Sequence, residues 1–107
     1  MMDPNFEDET RSMQQAIWKR YRPVVLERLE LLDRAGAVAR TGALSEELHA
    51  EAASVAHKLA GSLGMYGYDE GTRIAREIEV LLDNPVPASA RLWELATELR
   101  SSVFPVV

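Results

Sequence analysis

The chain contains no cysteine, only two histidines and five prolines, and aromatic residues make up 7% of its 107 positions. The missing thiols exclude disulfide staples, thiolate zinc sites and cysteine nucleophiles. No apolar run approaches the roughly 18 residues of a membrane span. The opening MMDPNFEDET is acidic where a secretory signal would be basic and then apolar. A cytoplasmic location is expected, with no membrane contact. A formal net charge of -5 and the lack of a basic face argue against nucleic acid. Di-metal sites in helical bundles need two E-x-x-H pairs. Glu46 and His49 make one, but Ser54 stands where the second would need its glutamate, so no metal site is expected. There is no G-x-S-x-G elbow, no nucleotide loop and no base beside a nucleophile to suggest intrinsic catalysis.

What is present is 47% apolar and 27% charged residues, the balance of one globular domain. Residues 1–10 are expected to form a flexible N-terminal segment and residues 11–107 a single domain. Its partner is expected to be protein.

No stretch alternates as a strand does, and apolar residues recur at helical spacing throughout. Trp18, Tyr21, Val25, Leu29, Leu32, Gly36 and Ala39 form one stripe, widened by Ile17, Val24, Leu31 and Val38. The stripe stays in phase across Pro23, which favours one kinked helix over two. Gly42 reads as a stop, and Ser45 as the N-cap of a second helix with Glu46 and Glu47 in its first turn. Gly67 and Gly71 read as turn residues, with Asp69 able to cap a third helix bearing Ile74, Ile78, Leu81 and Leu82. DNPVPAS closes that helix, and Leu92, Leu95, Ala96, Leu99 and Val103 mark a fourth. Short connections between four helices predict an all-α, antiparallel four-helix bundle. Trp18 and Trp93 read as core or core-rim aromatics.

The stretch AHKLAGSLGMYG, residues 56–67, is the least ordinary part of the chain. A helical glycine costs roughly 1 kcal/mol against alanine, yet Gly61 and Gly64 fall where the second helix would continue. With about 100° per residue, Leu48, Ala52, Val55, Leu59, Ser62 and Leu63 turn toward the core. His57 projects about 180° from the middle of that stripe, toward solvent. Sharing its side are Ala50, Ala53, Ala60, Gly61 and Gly64, where a solvated face ordinarily carries long polar residues. Such a bare face would let another protein approach the imidazole closely. The same residues could instead be a second packing face within the bundle or a homodimer, and His57 could be an ordinary solvated side chain. His49 lies about 80° away on the same helix and receives no role.

This stretch resembles the phosphoacceptor signature of histidine-containing phosphotransfer (HPt) domains: a histidine, a leucine two residues on, a glycine four residues on and a further glycine after a short apolar run. Here these are His57, Leu59, Gly61 and Gly67. The resemblance extends from about Ile17 to the last helix. It implies a phosphorelay module in which His57 takes a phosphoryl group from a receiver-domain aspartate and passes it on. The implied partner is the receiver of a response regulator or hybrid histidine kinase. The module would need no cofactor of its own, because Mg²⁺ and a lysine would come from the receiver. Many members have a lysine three residues after the histidine; Ala60 stands there, and Lys58 is the candidate replacement. The variant HKLAGS resembles units joined to receiver or diguanylate cyclase domains, and the apolar ending SSVFPVV suits continuation into another domain. The competing function is a helical adaptor or dimerisation module without chemistry.

Overall fold

The computed structural model describes residues 4–86 and 88–105, with side chains from residue 8 onward. Among these residues it is all-helical: α1 (Pro4–Ala39), α2 (Glu46–Ser62), the short 3-10 helix η1 (Leu63–Tyr66), α3 (Asp69–Leu81) and α4 (Arg91–Val103). Each long helix packs against its two neighbours, α1 on α2, α2 on α3, α3 on α4 and α4 back on α1. Short loops between successive neighbours make the bundle antiparallel.

Helix α1 differs from the sequence reading at its start. It begins at Pro4, so residues 4–10 are helical, while residues 1–3 of the segment expected to be flexible lie outside the described residues. Proline suits a first helical turn, where its missing N–H has no partner to lose. The helix then runs through Pro23 as a single element, in keeping with the in-phase stripe. Val25, Leu29, Leu32 and Ala39 from this stripe are buried, joined by Ala35, which lay outside it, but Ile17, Tyr21, Val24 and Val38 are exposed. Ile17, Val24 and Val38 of the widening seam therefore lie outside the core, and Val24 lines the groove toward α2.

The predicted cap of α2 is present: the Ser45 hydroxyl accepts from the Leu48 amide at 3.1 Å. Ala52, Ala56, Leu59 and Ala60 of α2 pack into the core. Ile74, Ala75 and Ile78 from α3 and Leu92, Leu95, Ala96, Leu99 and Val103 from α4 complete it. Asp69 is the first residue of α3 rather than its cap, which falls on Tyr68 without a side-chain bond. Its carboxylate still sits at the positive end of the helix dipole.

The glycines divide by role. Gly67 adopts φ +89°, the left-handed conformation that ends η1, and a side chain there would be strained. Gly71, read as a turn residue, is buried within α3 against Leu63, Ser102 and Val103. Gly36 is tighter still, since a Cβ there would meet the Trp93 Cα at 2.7 Å. It allows α1 and α4 to approach at backbone distance. Trp18 is half-buried at the core rim, and Trp93 lies on the surface beneath the Arg40 guanidinium, 4.7 Å from the ring centroid.

Candidate functional site

The end of α2 is fixed from outside. Gly61 and the residues after it hold the helix weakly, and at Leu63 the chain tightens into η1. There Tyr66 and Tyr68 close around Trp18, with ring centroids 5.2 and 4.9 Å away, and Phe104 approaches the same indole at 5.8 Å. The Gln14 amide adds a hydrogen bond to the Met65 carbonyl at 3.1 Å. Helix α2 is thereby anchored at both ends, by Ser45 and by this aromatic cluster, and His57 lies between them on a rigid element.

His57 points outward, as its projection indicates: its side chain is 80% exposed. It is not free, however. Its Nδ1 lies 2.9 Å from Oε1 of Glu79 on α3, a carboxylate whose side chain is only 28% exposed. An ionised carboxylate only accepts, so Nδ1 donates and carries the proton. In the neutral ring this leaves the lone pair on Nε2. The sequence reading placed no acidic group beside the histidine, but a carboxylate stands against it, in an orienting position. Glu79 meets Nδ1 and not Nε2, so it orients the ring and does not serve as a base at Nε2.

The remaining predicted site residues separate. Ala50, Gly61 and Gly64 are exposed and Ala53 is half-buried, but Ala60 is 9% exposed and belongs to the core. Ala60 leaves the predicted outer face because it lies three residues beyond His57, on the flank of α2 that turns inward. Gly64 leaves α2 altogether, since it is the second residue of η1, and a Cβ there would meet Thr72 Oγ1 at 3.5 Å. The α-helical projection that set Gly64 beside His57 therefore does not apply. Of the two glycines Gly61 keeps that arrangement, and a Cβ at this position would enter open space.

Lys58 is exposed and opens onto the groove between α1 and α2, with Val24, Glu27, Leu31 and Val55. The imidazole opens onto a different hollow, between α2 and α3, lined by Ala53, His57, Arg76, Glu79, Val80 and Asp83. The chain thus brings His57 together with Glu79 and Arg76 from α3, neither of which sequence reasoning singled out. They lie 22 and 19 residues downstream, and nothing local to the signature indicates the register of the next helix. His49, given no role, places Nε2 2.7 Å from the Leu82 carbonyl. A carbonyl only accepts, so this ring donates and satisfies one of the free carbonyls at the end of α3.

Comparison with known proteins agrees with this arrangement. The sequence profile described as Hpt domain matches residues 16–103. Protein RcaC of Microchaete diplosiphon is 35% identical over 65 residues, which cover 61% of this chain and 10% of that protein. The chain therefore spans a small fraction of that relative. No solved structure matches the chain. No helix among the described residues is long and apolar enough to cross a membrane. With the profile covering the bundle from residue 16 to residue 103, an outward histidine on its second helix and the H-x-L-x-G spacing around it, the chain belongs to the Hpt domain family, the histidine phosphotransfer modules of two-component signalling.

Proposed function

We propose that His57 is the phosphoacceptor and that it exchanges a phosphoryl group with an aspartate on a receiver domain. The observation that supports this best is the pairing of an 80% exposed imidazole with a Glu79 contact at Nδ1. The Nε2 lone pair attacks phosphorus as the P–O bond to the aspartyl carboxylate breaks, and the carboxylate leaves with that electron pair. The ring gains positive charge as the P–N bond forms. Its Nδ1 proton remains against Glu79, whose charge offsets that of the imidazolium. The reverse step returns the phosphoryl group to an aspartate and the lone pair to Nε2.

Phosphoryl transfer asks mainly for in-line positioning and charge neutralisation, and the imidazole is nucleophilic near neutral pH without an activating base. On this reading Mg²⁺ belongs to the receiver, the chain is a carrier rather than a kinase, and it works in the cytoplasm. The receiver of a response regulator or of a hybrid histidine kinase is the partner. Ala50, Ala53 and Gly61 leave the space around the ring open to it. Incubation with a phosphorylated receiver tests the proposal. The parent protein acquires acid-labile phosphate and His57→Gln, still folded, acquires none. Binding without any label would identify an adaptor instead.

A further inference from the structure

We propose that Arg76, on α3, is the cation that receives the phosphoryl group in the His57 hollow, in place of Lys58. The inference rests on the phosphotransfer reading of His57 and extends it to a residue outside the signature. Arg76, Glu79 and Val80 follow one another at helical spacing along one side of α3, and with Asp83, in the turn just beyond its end, they line the same hollow as His57. The hollow is otherwise acidic, with Glu79 on the imidazole and Asp83 at its margin. A phosphoryl group on Nε2 brings further negative charge beside those two carboxylates. Arg76 supplies the opposing charge, and its planar fork of donors matches phosphoryl oxygens in pairs.

Arg76 is also available. It and Val80 border a neighbouring hollow toward α4, together with Arg73 and Arg91. Arg73 is bound to Glu70 and Glu77, and Arg91 reaches Glu77 and Glu94. Arg100, farther off, is paired with Asp33. Among the described residues Arg76 is the arginine of these two hollows that makes no ion pair. Lys58 faces the α1–α2 groove instead, together with Glu27, Arg28, Glu30 and Arg34.

Phosphoramidate, an anionic small-molecule donor, tests the assignment without a receiver's own cations. The Nε2 lone pair attacks its phosphorus and ammonia leaves. Labelling of His57 is expected to slow about two- to tenfold in Arg76→Ala at low salt, with most of the rate restored in Arg76→Lys. Lys58→Ala should label at the parent rate, and the melting temperature of each variant should match the parent's. Added salt should narrow the Arg76→Ala difference, as screening of a charge effect requires. Parent-rate labelling of Arg76→Ala, an Arg76→Lys variant as slow as Arg76→Ala, or a larger loss in Lys58→Ala would overturn the assignment. Equal labelling of the parent and His57→Gln would instead overturn the phosphoacceptor reading beneath it.

Discussion

Nδ1 of His57 lies 2.9 Å from Oε1 of Glu79, across the interface between α2 and α3. This contact decides which nitrogen of an exposed ring has a proton and which keeps its lone pair. It also holds the ring in one orientation, so that a partner meets Nε2 in a fixed place.

Replacing Glu79 should therefore change the ring before it changes the fold. In Glu79→Ala, ¹⁵N spectra of His57 should show the Nε2–H tautomer gaining at the expense of Nδ1–H, and transfer should slow about two- to tenfold, as loss of one partly exposed hydrogen bond implies. Glu79→Gln retains an acceptor oxygen and should keep the tautomer while losing the charge opposite the imidazolium. An unchanged tautomer ratio in the alanine variant would remove Glu79 from the site.

Gly61 tests whether the bare face around His57 serves docking. A side chain there meets open space, four residues and about 6 Å along the helix from His57. Gly61→Arg should hold or raise the melting temperature, since the glycine is a poor helix former by up to about 1 kcal/mol. It should weaken receiver binding at least about tenfold by exclusion, an effect worth about 1.4 kcal/mol. A stable variant that binds normally would return this glycine to chance.

Gly36 should behave in the opposite way. A methyl group at this position collides with the Trp93 backbone, which cannot yield without moving α4. Gly36→Ala should lose about 1–3 kcal/mol in urea unfolding, despite the better helix propensity of alanine, and any folded fraction should still accept phosphate on His57.

His49 separates the two histidines by role. Its bond to the Leu82 carbonyl caps α3, so His49→Ala should cost about 0.5–1.5 kcal/mol of stability and leave the rate of phosphorylation unchanged. A phosphorylation defect in the folded variant would give His49 a part in the chemistry that its position at the end of α3 does not suggest.

The residues that could be read from sequence are those whose signal is local. Helical periodicity located all four helices, Ser45 marked a start, and His57 stood out because its neighbours are small. Glu79 and Arg76 could not be read, because their meeting with His57 depends on how η1 and Gly67 set the register of α3 on α2. The same turn removed Gly64 from the helix on which it had been projected. Gly71 and Gly36 were opaque for a related reason: their neighbours, Val103 and Trp93, lie on the last helix. Periodicity says that a face is buried, while the partner that buries it is a property of the assembled bundle. The apolar seam of Ile17, Val24 and Val38 shows the converse, since apolar spacing alone did not distinguish the buried stripe from its exposed neighbour.

The central claim is that Nε2 of His57 takes the phosphoryl group while Nδ1 keeps its proton against Glu79. NMR of protein with ¹⁵N-labelled histidine, phosphorylated by a receiver domain and held at neutral or alkaline pH, measures this directly. The account predicts a phosphorus–nitrogen coupling at Nε2 of His57 and none at His49. Coupling at Nδ1 of His57, coupling at His49, or phosphate bound through oxygen on another residue would contradict it.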